Sequence, residues 1–414
     1  MAKIPKKQTT KIILGCENFL AHHLDLVKDK KVGLITNQTG KDSHLNSLID
    51  LFHDNPDMDL VALYGPEHGV YGDAQAGEYI SFTKDKKYGL PVFSLYGQSM
   101  KPKSGKPKDI DESMRLFDTV ADGKFLDDSM IKGVNVLVFD IQDVGTRIYT
   151  YIATMAYCMQ ACANKGIAFI VLDRPNPING EVLEGPVLEY PEFSSFVGLY
   201  PIPVRHGMTI GELAQLFNDR FLPKKVNLTV IPMKGWARNM WFDQTGLPWI
   251  CPSPNIPTLQ TATVYPGQVF LEGTNVSEGR GTKNPFEQFG APWINGPYLV
   301  RKLNALALPG VKFRAVRFSP NFSKFKGKLC SGAQLHILDR TLFQPFITTL
   351  HIIQLIKEMY PGKFQFHTGY FDKIVGSASI RQALEKGIPV DKIVREYSAQ
   401  TKEFSTQRKS YLMY

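Results

Sequence analysis

Lys31-Val-Gly-Leu-Ile-Thr36, closed by the polar turn Asn37-Gln38-Thr39-Gly40, is the stretch whose reading decides the fold. A short apolar run bounded by turn residues reads as a buried strand that hands a polar loop to one end of a sheet. Similar units follow at Asp59-Leu-Val-Ala-Leu-Tyr64 before Gly65, Val134-Asn-Val-Leu-Val-Phe139 before Asp140, and Ala168-Phe-Ile-Val-Leu172 before Asp173. Helical stretches lie between them, clearest over 43–53 and 149–165. Strand alternating with helix predicts an α/β fold with a doubly wound, mostly parallel sheet. In such a sheet ligands bind outside the carboxyl ends of the strands, so the polar loops should converge on one rim.

Further along, Thr209-Ile-Gly-Glu212 is a capping box, which predicts a helix starting just after Arg205-His206-Gly207. Residues 226–233 read as another strand, and 235–297 form a long segment rich in Pro, Trp, Asn and Gly. The junction is placed there: a first domain over 1–236 and a second, smaller α+β C-terminal domain over 237–414 that contributes to the cleft. The second carries helix signals over 343–359 and within 391–404, and strand signals over 311–318 and 333–337.

An apolar share of 43% with 21% charged residues describes a globular chain and excludes disordered, collagen-like and coiled-coil classes. The net charge of +9 is spread out. Its densest stretches, 3–11 and 84–108, carry no recognition motif, so nucleic acid is not expected as a partner and a solvated basic face is. An acidic sugar polymer suits the same surface. Five cysteines, at 16, 158, 162, 251 and 330, have no metal-ligand spacing, and Cys158 and Cys162 fit one buried helix face. No metal is expected. No apolar run is long enough to span a bilayer.

The chemistry-bearing residues gather in the strand-end loops. Gly65-Pro66-Glu67-His68-Gly69 frames one carboxylate and one imidazole with residues that fix an unusual backbone. Glu67 is the candidate acid/base there, against a structural role as a loop brace. Asp140, Arg147 and Tyr149 follow the third strand and suit sugar hydroxyls or a carboxylate, or else an Asp–Arg brace. Asp173, Arg174 and Asn176 shape a pocket wall or an ordinary turn. Arg205 and His206, at a helix start, offer an anion site or a capped helix end. Asn37, Asn255, Glu278 and Arg280 complete the candidate substrate-binding set, with Trp236, Trp241 and Trp249 as sugar-stacking or packing residues. Phosphate-loop, dinucleotide, serine-elbow and zincin signatures are absent.

Taken together, the segments Gly33–Gly40, Tyr64–Gly72, Phe139–Tyr149, Leu172–Gly180, Arg205–Glu212 and Ser253–Thr282 resemble the exo-β-N-acetylmuramidase (NamZ) family, once a domain family of unknown function. They occur in order over about two-thirds of the chain, far more specific than one motif. The resemblance implies a Rossmann-like catalytic domain, a C-terminal auxiliary domain and no cofactor. It implies an exo-acting glycoside hydrolase that releases N-acetylmuramic acid (MurNAc) from the non-reducing end of peptidoglycan fragments such as MurNAc-GlcNAc. The family's catalytic glutamate falls on Glu67.

A second carboxylate is expected among Asp73, Glu78, Asp140 and Glu278, unless the substrate's 2-acetamido group supplies the nucleophile. Arg147 or Arg205 is expected to bind the lactyl carboxylate. An esterase or amidase acting on wall material, and a non-catalytic muropeptide binder, stand as alternatives. The expected location is periplasmic or secreted, with the export signal missing from this sequence and a cytoplasmic location left open; the oligomeric state is left open too.

Overall fold

The computed structural model describes residues 11–74, 82–95 and 126–414. Helix α1 (Gly15–His22) leads into β1 (Lys31–Thr36), α2 (Leu48–His53) and β2 (Asp59–Gly65). The short β3 (Thr83–Lys84) and β4 (Pro91–Ser94) follow, then β5 (Val136–Asp140), α3 (Tyr151–Lys165) and β6 (Ala168–Leu172). A β7 (Glu184–Val187) and β8 (Pro203–Arg205) pair precedes α4 (Ile210–Arg220) and β9 (Leu228–Ile231).

Seven strands form one sheet in the order β3-β4-β2-β1-β5-β6-β9, all parallel except the edge strand β3. The order runs outward in both directions from β1 and β5, so the topological switch point lies between them. There Thr36 pairs with Asp140 at the carboxyl ends of both strands. Successive strand residues point to opposite faces. Val32, Leu34, Val136 and Val138 meet Phe19, Leu48 and Phe52 on the α1 and α2 side. Ile35, Leu137, Phe139 and Phe169 join the residues of α3 and α4 on the other. With both faces covered, the strands need the nearly unbroken apolar runs seen in the sequence.

The Thr209 capping box forms as its spacing predicts: the side chain accepts from the Glu212 N–H, and the Glu212 carboxylate accepts from the Thr209 N–H at 3.0 Å. The helix expected over 43–53 is shorter. Asp42 Oδ1 accepts the N–H groups of His44 and Asn46 and Leu45 takes φ +68°, so the chain makes a loop first and the helix starts at Leu48. Local side-chain bonds of this kind compete with helix formation. The strand expected over 226–233 covers only Leu228–Ile231.

Beyond the sheet, the long segment leads to α5 (Leu259–Gln268), β10 (Gln288–Ala291), α6 (Gly296–Ala305), β11 (Val311–Phe318) and β12 (Cys330–Ile337). Then come α7 (Pro345–Met359), α8 (Thr368–Val375), α9 (Ser379–Glu385) and α10 (Val390–Gln407). The strands make an antiparallel sheet, β10-β12-β11, with helices packed around it, which is the smaller α+β part. One continuous apolar cluster runs from Ile35 through Phe139 and Tyr265 to Leu350 and Phe404, so both parts share a core.

Polar ties reinforce that continuity. The buried Arg147 guanidinium donates to the carbonyls of Pro186, Ile202, Ile374 and Val375, at 2.6–3.0 Å. Arg408, just past α10, donates to the carbonyls of Gly180, Glu181, His206 and Gly207. Tyr414 then donates to Asp173 at 2.7 Å and accepts from the Met233 N–H. Among the described residues no helix is long and apolar enough to cross a membrane.

Candidate active site

The loop that carries Glu67 is fixed by its own backbone. The Gly69 N–H bonds the Pro66 carbonyl at 2.9 Å, and both His68 and Gly69 lie in the left-handed region, at φ +73° and +79°. A side chain at Gly65 would bring its Cβ to 2.7 Å from the Val70 nitrogen, so only glycine fits there. His68 is buried, and its Nδ1–H donates to the Ala74 carbonyl at 2.8 Å, closing the loop. That bond leaves Nε2 as an acceptor.

Glu67 is itself buried and Oε2 accepts a hydrogen bond from Thr150 Oγ1 at 2.8 Å. Thr150 stands at the N-cap of α3, so the end of β2 and the start of α3 meet at this carboxylate. Three tyrosines lie within reach of its charge. Burial chiefly, with the Glu67 charge adding, raises the phenols of Tyr149, Tyr151 and Tyr265 above their usual range and keeps them protonated. Tyr149 packs edge-on against Tyr151 at 4.8 Å and against Tyr265 at 5.8 Å between ring centroids. Tyr151 donates to the Pro252 carbonyl at 2.5 Å and accepts from Asn37 Nδ2 at 3.0 Å. The Tyr149 hydroxyl sits against those of Ser253 and Tyr151 and completes no well-aligned hydrogen bond.

The switch point thus gathers Asn37, Glu67, His68 and Tyr149 from the predicted set, with the buried Asn255 two residues from Ser253. Gln38 Nε2 bridges to the carbonyls of Cys251 and Pro252, which pins the long segment to this rim. Beside it lies a shallow groove of about 480 Å³ lined by Gln38, Gly72, Trp249, Cys251 and Ser253 among others.

Most of the remaining predicted residues are bound to other groups of the protein. Asp140 and Arg174 form a buried two-pronged pair, at 2.5 and 2.8 Å, that braces the loops from below. Asp173 fills the N-terminus of α4, accepting from Thr209 Oγ1 and the Gly211 N–H at 2.8 Å each. The anion site expected at Arg205 and His206 is therefore occupied by the protein's own carboxylate. Asn176 braces its turn by accepting from the Ile178 N–H and donating to Met208 O. Glu278 and Arg280 belong to a network with Lys324 and Glu272 in the C-terminal part.

Arg147 and Arg205, expected to grip a lactyl carboxylate, are engaged by the protein's own groups. Arg147 is held by four carbonyls, and burial alone lowers it to about 9. Arg205 is buried, donates to the Ile178 carbonyl and lies 5.4 Å over the Trp241 ring. Trp236 and Trp241 are buried packing residues, and Trp249 stands edge-on to Phe242.

Of the expected second carboxylates, Asp73 is exposed, Asp140 and Glu278 are paired, and Glu78 lies outside the described residues. Among the described residues no group of His, Cys, Asp and Glu is arranged to hold a metal ion. Sequence reasoning missed Thr150, Tyr151, Tyr265 and Asp143. The signal for the first two was their adjacency to Tyr149 at a helix start; Tyr265, on α5, left no local signal.

Residues 32–121 and 115–260 match the family described as the N-terminal part of the exo-β-N-acetylmuramidase NamZ, and residues 263–414 match its C-terminal part. The peptidoglycan β-N-acetylmuramidase NamZ of Bacillus subtilis (strain 168) is 49% identical over 414 residues, 100% of this chain and 92% of that protein. Two crystal structures of DUF1343-family proteins from Bacteroides fragilis NCTC 9343 share the fold. One has a TM-score of 0.85 at 37% identity, covering 98% of this chain and 99% of the other. The second has a TM-score of 0.75 at 30% identity, with the same coverage. With family matches along nearly its whole length and a relative of this identity, the chain belongs to the NamZ family of exo-β-N-acetylmuramidases.

Proposed function

We infer that this chain is an exo-acting β-N-acetylmuramidase of peptidoglycan, a glycoside hydrolase. Its near-half identity to the B. subtilis enzyme over the full chain supports that activity. Our finer reading is that it releases MurNAc from the non-reducing end of fragments such as MurNAc-GlcNAc, with Glu67 protonating the departing glycosidic oxygen. The observation that carries the reading is the Glu67 carboxyl, buried beside the switch point and oriented by Thr150. A parallel α/β sheet binds ligands at that position. The buried Tyr149 hydroxyl has hydrogen-bonding capacity to spare, which suits a sugar hydroxyl.

The test is Glu67→Gln, assayed on MurNAc-GlcNAc and on an aryl β-MurNAc. General acid catalysis contributes on the order of 10²–10⁴-fold, so the disaccharide should lose turnover by that factor and the aryl substrate, whose leaving group needs less protonation, by less. A folded variant with unchanged turnover on the disaccharide would remove Glu67 from the role. Release of an acyl or peptide group in place of a new reducing sugar would point to an esterase or amidase.

A further inference from the structure

The loop between β5 and α3 holds an unusual concentration of unspent polar atoms. Asp143 Oδ1, Thr146 Oγ1 and the Tyr149 hydroxyl are all buried without a hydrogen-bond partner, and so is His206 Nε2 on the segment facing them. The residues that carry them are neighbours. His206 Nε2 is 3.8 Å from Asp143 Oδ2, Thr146 forms a bridge with Arg205, and the Tyr149 N–H bonds the Thr146 carbonyl. Buried polar groups in native proteins are nearly always paired, so such a cluster marks a place where something polar binds.

Asp143 is the group in it with chemistry to offer. Oδ2 accepts the Gly145 N–H at 2.7 Å, which fixes the side chain and leaves Oδ1 free. The charges of both Glu67 and Asp143 reach the Tyr149 hydroxyl, so both carboxyls lie in its neighbourhood. Glycoside hydrolysis generally calls for two carboxyl groups flanking one bond. Of the other buried acids, Asp140 is paired with Arg174, Glu212 with Arg238, and Asp173 and Glu184 cap the starts of α4 and α7.

We propose that Asp143 is the second carboxyl of the reaction, taking the proton of the water that attacks the anomeric carbon, with His206 as its positioning residue. The inference rests on Glu67 being the acid. As the bond from C1 to the leaving oxygen breaks, its electron pair stays on that oxygen, which takes the Glu67 proton. The water oxygen bonds to C1 and passes a proton to the Asp143 carboxylate. Solvent exchange then returns a proton to Glu67 and removes one from Asp143.

The surroundings fit this role. Burial, opposed by the Gly145 and Val144 amides, pushes Asp143 up to about 7, where a base and its conjugate acid are both accessible. His206 Nδ1 accepts the Met208 N–H at 3.2 Å, so its proton sits on Nε2, facing Asp143. Burial, with Arg408, Arg205 and Arg147 adding, lowers His206 to about 3 and keeps it neutral. The groups that bear on Asp143 are thus neutral His206 and Tyr149, with the cations of Arg147, Arg205 and Arg408 behind His206.

The experiment compares the full chain with Asp143→Asn and His206→Gln on MurNAc-GlcNAc, following pH dependence and the anomer of the first-released sugar by NMR. Asp143→Asn should fold and lose turnover by about 10²–10⁴-fold. It should also lose the limb in which the wild-type rate rises through pH about 7, and added formate or azide should restore part of its rate. His206→Gln should move that limb while keeping measurable turnover. The wild type should invert configuration at C1, a readout that stands even if the variants misfold. Retention of configuration, or a folded Asp143→Asn with unchanged rate and pH profile, overturns the assignment while leaving the muramidase reading intact. Absence of any sugar release by the wild type sinks that reading and the inference with it.

Discussion

Thr150 Oγ1 donates to Glu67 Oε2 across 83 positions of sequence, at 2.8 Å, inside the protein. This bond ties the carboxyl end of one central strand to the start of the helix that follows another, and selects one orientation of the carboxyl. Thr150→Val keeps the shape and removes the donor. Turnover on the disaccharide should fall about tenfold, equivalent to roughly 1.4 kcal/mol of lost positioning, with KM changed less. Steady-state kinetics of the folded variant decide it; an unchanged kcat would reduce Thr150 to a packing residue.

Among the described residues Arg147 is the largest polar side chain that is fully buried, and its four carbonyl partners include two at the end of α8. Arg147→Met should destabilise the protein on the order of 4 kcal/mol, because buried carbonyls lose their donors together. Arg147→Lys should recover part of the loss only, since an ammonium lacks the planar fork. Urea unfolding of both variants measures this, and equal stability of Met and wild type would contradict it.

Asp173 provides a pH signature. Burial chiefly raises it to about 7 from 3.8, against hydrogen bonds from Tyr414, Gly211 and Thr209. The folded form therefore binds the proton more tightly than the unfolded form. The associated stability is fully present below pH about 4 and is lost as pH rises through about 7, at up to about 1.4 kcal/mol per unit. Asp173→Asn stays neutral, and the two hydroxyls can turn to suit it. The difference in stability between variant and wild type should shift in favour of the variant between pH 4 and 7; a difference independent of pH would refute the account.

At Gly267 a Cβ would stand 1.9 Å from the Pro345 carbonyl oxygen, so α5 can approach the start of α7 only through glycine. Gly267→Ala should cost on the order of 2–3 kcal/mol. It should also lower turnover, because Tyr265 lies two residues earlier on the same helix. Thermal melts and kinetics on one preparation would separate the two effects.

The sheet was legible because its strands are buried on both faces and carry continuous apolar runs between loop signals. Thr209 and Glu212 announced their helix because a capping box is a local device. The site was half legible. Glu67 and His68 advertise themselves through a glycine-framed loop, and Tyr149 through its place after a strand. Arg147 read as a ligand-binding residue because its partners at Ile374 and Val375 lie 227 and 228 positions away. Asp173 and Arg174 left both readings open for the same reason, since a strand-end acid or base looks alike whether it meets a substrate or the protein itself. Tyr265 reaches Tyr149 only through tertiary packing, and Asp143 stands out only once its unpaired oxygen is seen.

The path of the last residues also bears on how the molecule comes apart. Arg408 grips four carbonyls of the sheet-bearing part, and Tyr414 closes over Asp173. The chain leaves that part through the long segment and is laced back onto it, so neither part can swing or melt without releasing the other. Unfolding should be a single cooperative event, and slow amide exchange should extend from β5 through α10 with comparable protection. A carboxyl and a tyrosine contributed by different parts would then keep a fixed spacing while substrate comes and goes, so the exit of product should not wait on a hinge.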